Sequence, residues 1–286
     1  MKHYNTYIFS FYGTLANINI DETSPSFWEK MADFFTGKNA PFNAYELENK
    51  YNSYILDEKG NVSEHLCAKT PGEERWPEIE LDKVFYWLYS DKFEEHAPIN
   101  TSIPLATEAT AIDLDWTHDF VDAVAVTPEL LHSTMNYFRA QSASGLELYA
   151  GAVELLRALR ATGSRVILLC NSQRSFAEAE LQALGLWDEF DDRFFSSDHE
   201  CRKPDTYFFN SPILKYSLTP SDCLMIGNEL DNDILGAKKA GMDAFYIHSA
   251  LSEKLDNPVD TALAAGADYA LKDMDLHKLK DILLSN

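Results

Sequence analysis

The apolar positions along this chain follow two rhythms. Near the amino terminus, residues 7–11 form a short apolar run that stops at Gly13. That pattern predicts a buried strand running into a glycine turn. From there to about residue 145 the spacing is helical. Ser24 and Pro25 read as a helix start, continued by Phe27, Trp28, Met31, Phe34 and Phe35 as one apolar stripe. Further helices are expected over 44–56, 81–93, 119–126 and 128–139. Residues 60–77 and 98–111 are polar or proline-bearing and read as loops.

From Gly151 onward strands and helices alternate. Helices are expected over 152–161, 175–184, from Pro204 through Leu214, 232–240, 258–264 and 276–283. Strands are expected over 165–170, 193–195, 223–226, 244–248 and 268–271. Such alternation predicts an α/β fold with a doubly wound, parallel, Rossmann-like sheet. The strand over 7–11 has to join that sheet, because alone it leaves its backbone groups unpaired. The expected organisation is a core of residues 1–15 plus 146–286, with a helical cap domain, 16–145, inserted between them.

Composition changes this picture little. A charge of −22 favours solubility and opposes long-range attraction to nucleic acid or anionic membranes. No basic-then-apolar leader and no long apolar window is seen, so a cytoplasmic protein is expected. Cys67, Cys170, Cys201 and Cys223 form no CxxC pair, and the eight histidines form no helical metal motif.

Chemistry is sought where parallel strands end, since open α/β sheets bind ligands there. The first strand's exit carries Ser10, Tyr12, Gly13 and Thr14; the next carries Cys170 and Asn171. A third candidate exit reads Lys203-Pro204-Asp205, and a fourth reads Gly227-Asn228-Glu229 with Asp233 following. Gly236-Ala237 and Ala240-Gly241 close that segment, while Tyr149-Ala150-Gly151 precedes the helix after the cap. No histidine or lysine is evident beside Ser10 in sequence. Asp113-Leu114-Asp115 lacks a preceding strand and reads as cap surface; Arg174 is a possible ligand contact.

Taken in order, these four exits resemble the four motifs of the haloacid dehalogenase superfamily. The resemblance implies an aspartate nucleophile where Ser10 stands, and a second acid (or a tyrosine) where Tyr12 stands. It implies a serine or threonine in place of Cys170 and a metal-binding aspartate in place of Asn228. Thr14, Asn171, Lys203 and Asp233 match the pattern, and Glu229 lies where a variant acid is found. In the family the aspartate attacks phosphorus and Mg²⁺ offsets charge repulsion. The resemblance thus implies catalytic positions Ser10, Tyr12 and Lys203. It implies a ligand cradle of Thr14, Cys170, Asn171 and Lys203, and metal positions Asn228, Glu229 and Asp233. With two carboxylates replaced, Mg²⁺ binding is expected to be weak or absent. The first reading is a protein that has lost phosphatase or dehalogenase chemistry and binds a small phosphate, a carboxylate or a protein partner. The alternative is an active Mg²⁺-dependent phosphatase with a rearranged site.

Overall fold

The computed structural model describes residues 1–95 and 126–285. Among them six parallel strands form the main sheet, in the order β5 (Asp192–Phe195), β4 (Arg165–Cys170), β1 (Thr6–Phe9), β6 (Cys223–Gly227), β7 (Asp243–Ile247), β8 (Tyr269–Leu271). Central strand β1 (Thr6–Phe9) pairs with both β4 and β6. Its residues alternate between two cores: Tyr7 and Phe9 on one face, Ile8 on the other. All four positions are buried, as expected for a strand covered on both sides.

After β1 the chain makes a second strand, β2 (Ala16–Ile20). Helices α1 (Pro25–Gly37), α2 (Ala44–Lys69), α3 (Leu81–Glu95) and α4 (Pro128–Ser142) follow, and β3 (Ala143–Leu148) returns antiparallel to β2. This two-stranded ribbon was not expected: 16–145 reads as helical because Ala16-Asn-Ile-Asn-Ile20 is too short and polar to stand out. Its pairing partner lies more than a hundred residues away, so only the tertiary fold reveals it.

A second correction concerns the loop expected over 60–77. Helix α2 runs on to Lys69, because Leu47, Tyr51, Val62 and Leu66 keep one buried stripe across it. Gly60 sits within that helix where an added Cβ would meet nothing within 4 Å, so it does not break it. Asn43 caps the helix by accepting from the Glu46 N–H at 2.9 Å. Expected features within 96–125, including Asp113 and Asp115, lie outside the described residues.

The cap's aromatic stripes are core. Phe27, Trp28, Phe35, Tyr51, Phe85, Tyr89 and Phe138 are buried in one cluster continuous with one face of the sheet. Phe138 stacks on Phe176 with ring centroids 6.2 Å apart, joining cap to core.

The remaining elements complete the α/β alternation: α5 (Ala152–Ala161), β4 (Arg165–Cys170), α6 (Arg174–Ala183), β5 (Asp192–Phe195), α7 (Thr206–Tyr216) and β6 (Cys223–Gly227). Then come α8 (Gly236–Lys239), β7 (Asp243–Ile247), α9 (Pro258–Ala264), β8 (Tyr269–Leu271) and α10 (Leu276–Leu284). Two starts differ from expectation. The Lys203–Pro204 peptide is cis, and α7 begins two residues later with Asp205 as its cap. The segment before α8, Leu230–Leu235, is a π-helical turn. Among the described residues, no helix is long and apolar enough to cross a membrane.

Candidate functional site

The strand order reverses direction at β1, so its carboxyl end opens between the ends of β4 and β6. Ser10 extends β1 by donating its N–H to the Ile226 carbonyl at 3.0 Å. The chain then turns tightly: Thr14 and Leu15 both donate to the Phe11 carbonyl. Gly13 adopts φ +76°, and a Cβ there would lie 2.4 Å from the Asn228 side chain. Glycine is therefore required twice, by backbone conformation and by close approach. Thr14 uses its hydroxyl to donate to Asn228 Oδ1 at 3.1 Å.

On the β6 side, Asp233 folds back under the strand end, filling the space a Cβ on Gly227 would need. Its Oδ2 accepts the N–H groups of Asn228 and Glu229, each at 3.0 Å. Its Oδ1 accepts from Lys203 Nζ at 2.6 Å. Lys203 Nζ also donates to Ser10 Oγ at 3.0 Å. Lys203 is 1% exposed and Asp233 0%. A buried charge is tolerable only when paired and hydrogen-bonded, and here each is. Ser10 thus does have a lysine beside it, contrary to the sequence expectation. The two are 193 residues apart and meet only because β1 and the Lys203 loop share one end of the sheet.

The Lys203 loop is fixed from the β4 exit. Asn171 Oδ1 accepts the Lys203 N–H at 2.8 Å, and Asn171 Nδ2 donates to the Lys203 carbonyl at 3.1 Å. Asn171 therefore orients the loop that aims Lys203. Cys170 is buried behind it, and burial pushes its thiol up to about 12. Burial does the same to Cys201, on the strap described below. All four cysteines are free thiols.

Tyr12 behaves differently from an acid/base group. Its phenol donates to Glu180 Oε2 at 2.5 Å and accepts from Arg139 Nη2 at 3.1 Å. Arg139 also donates to Glu180 Oε1 from Nε at 2.6 Å. Burial, with the Cys170 and Glu180 charges nearby, raises the Tyr12 pKa well above the phenol range. Arg139 comes from α4 in the cap and Glu180 from α6 in the core, so the trio bridges the two. Neither residue stands in a motif, and sequence reading missed both; their one signal is opposite charge on two amphipathic helices.

A second bridge lies on the other side of the cleft. Arg75 Nε donates to Asp205 Oδ2 at 2.7 Å, and both side chains are almost fully buried. The Trp76 N–H donates to the same oxygen. Backbone bonds then strap 76–78 to the core: Arg202 N–H to the Trp76 carbonyl and Glu78 N–H to the Glu200 carbonyl. Gln173 closes the strap by donating to the Ile79 carbonyl and accepting from the Leu81 N–H. Asp205 of the third motif is thus an anchor for the cap as well as a helix cap.

Between the bridges lies a cavity of about 290 Å³. Tyr12, Asn171 and Gln173 line it from the core, and Glu22, Tyr51 and Arg139 from the cap side. Arg174 points elsewhere, into an exposed ion pair with Asp198.

The donor set fits Mg²⁺ poorly. That ion needs near-octahedral hard oxygen ligands. Here Asp233 has both oxygens committed to N–H donors, Asn228 offers an amide oxygen already used by Thr14, and Ser10 is a neutral hydroxyl. Glu229 is exposed at the edge of the site, its carboxyl pushed up by local desolvation and then by Asp233. No group of three or more His, Cys, Asp or Glu able to hold a metal occurs among the described residues.

A switch-point site at the end of a central parallel strand, beneath a helical cap, defines a capped, Rossmann-like α/β fold. The family model described as haloacid dehalogenase-like hydrolase matches residues 4–241, and the chain belongs to that family. A glyceraldehyde 3-phosphate phosphatase of Methanothermobacter thermautotrophicus is 30% identical over 125 residues, 44% of this chain and 54% of that protein. A phosphoglycolate phosphatase of Nitrosospira multiformis is 32% identical over 108 residues, 38% and 47% of the two chains. The chain spans about half the length of the curated relatives it matches. A solved HAD phosphatase from Thermococcus onnurineus gives a TM-score of 0.54 at 18% identity, with 98% of each chain covered. A solved dehalogenase gives 0.52 at 15%, covering 100% of each. At those identities the structural likeness is one of fold.

Proposed function

We propose that this member of the family no longer turns over phosphate esters and instead binds a small anion or a protein partner through the retained scaffold. The observation that supports this reading most is the state of Ser10. Its oxygen accepts from an ammonium that is itself ion-paired with Asp233. A serine attacks only when a neighbouring base takes its proton. Lys203 Nζ is bonded to Asp233 at 2.6 Å and presents Ser10 with a donor. Tyr12, engaged by Glu180 and Arg139, is equally unfit to relay a proton. Thr14, Asn171 and Lys203 are the anion cradle of this proposal, with Cys170 behind them; an anion has to displace their present contacts with Asn228, the Lys203 backbone, Ser10 and Asp233. We place the boundary between core (1–15 plus 146–286) and cap (16–145) at the β2–β3 ribbon, where the Tyr149 N–H returns to the Leu15 carbonyl at 3.0 Å.

The relatives' names support a second reading, an active phosphatase acting on a small phosphorylated metabolite. One assay separates the two. Purified protein is given a panel of phosphate esters with Mg²⁺, and phosphate release is followed. No release above blank is expected for the natural chain, and weak turnover for the Ser10→Asp/Asn228→Asp variant. Turnover by the natural chain that disappears on Ser10→Ala sinks the first reading.

A further inference from the structure

We infer that the residues of this site do not hold a divalent ion, and that the Lys203 side chain is its resident cation. The inference goes beyond loss of turnover: it holds whether or not the chain hydrolyses esters. Three observations carry it. First, the ammonium lies 2.6 Å from Asp233 Oδ1 and 3.0 Å from Ser10 Oγ, bonded to both groups a bridging cation would touch. Second, the other Asp233 oxygen accepts from two backbone N–H groups, at 3.0 Å each. Third, Asn228 is wedged against Gly13, with its amide oxygen on the Thr14 hydroxyl.

The charge balance explains why these belong together. A site with several carboxylates needs a divalent ion to offset their repulsion. Here one carboxylate faces one ammonium, and the buried pair is already neutral. Adding a divalent ion would bring two further positive charges next to a buried ammonium, with Glu229 as the one further carboxylate beside the pair. With neutral groups at positions 10 and 228, the contacts of Lys203 with Asp233 and Ser10 leave few free hard-oxygen ligands for a divalent ion.

The test uses Mn²⁺, whose free-ion electron paramagnetic resonance signal is lost on binding, at physiological ionic strength. Binding that survives Asp233→Asn is surface binding and counts as none at this site. The natural chain is expected to bind none here. The Ser10→Asp/Asn228→Asp variant is expected to bind one equivalent that is lost on Asp233→Asn, because hard oxygen ligands are restored. If that variant also binds none, Lys203→Met is added to it. Binding that then appears supports the lysine as the excluding cation, and its continued absence overturns the inference. A natural chain that binds one Mn²⁺ and loses it on Asp233→Asn overturns it directly, and that arm needs no destabilised variant. Because no turnover is measured, the outcome is separate from that of the phosphatase assay.

Discussion

Gly13 shows how narrowly a single position can be set. A side chain there would need φ +76° and would collide with Asn228 at 2.4 Å. Gly13→Ala is expected to lower stability by about 1–3 kcal/mol, the usual size of local backbone strain, with the overlap adding to it. Urea denaturation measures it directly; an unchanged midpoint would mean that the turn relaxes freely. Ser10 and Lys203 make the complementary point. Each is ordinary in isolation, but their mutual distance decides that the hydroxyl faces a cation and not a base.

At the level of elements, the cap is tied down on both flanks of the cleft. Arg75 and Asp205 close one side; Arg139, Glu180 and Tyr12 close the other. Removing one member of a buried pair leaves the other charge uncompensated, at a loss of about 3–5 kcal/mol. Arg75→Met is therefore expected to destabilise by about that amount and to raise amide hydrogen exchange in 76–81 and along the β2–β3 ribbon. Exchange that rises uniformly over the six-stranded sheet instead would show a general loss of stability and no cap release. The ribbon is the natural pivot, since its register shifts between Asn17 and Asn19. Irregular pairing bends a strand pair locally.

For the whole molecule, burial of thiols sets a limit on the alkaline side. Cys170 and Cys201 are raised from 9.0 to about 12, and Cys223 to about 11, in each case chiefly by burial. Below pH 9 both folded and unfolded chains keep these protons, and the thiols do not affect stability. Between about 9 and 12 the unfolded chain releases protons that the fold retains, so stability falls as pH rises. Urea midpoints followed from about pH 8 to about pH 11 should stay level at first and then decline. A flat profile across that range would show that the buried thiols ionise freely in the fold.

The sequence by itself determined the alternating α/β core and the residues at the exits of the first, second and fourth motifs; Lys203 stands on a loop beyond the end of Asp192–Phe195. Period-two and period-3.6 patterns are local, and they identify elements such as Ala152–Ala161 and Arg165–Cys170 residue for residue. It also located Ser10, Asn228 and Lys203, since motif spacing is linear. Only the tertiary structure decided what those residues touch. The β2–β3 ribbon, the continuation of α2 past Gly60, the Arg75 and Arg139 bridges and the Lys203–Ser10 contact all join distant segments or depend on burial. No local period encodes them, because hydrogen bonds and ion pairs between remote residues are set by how the layers pack.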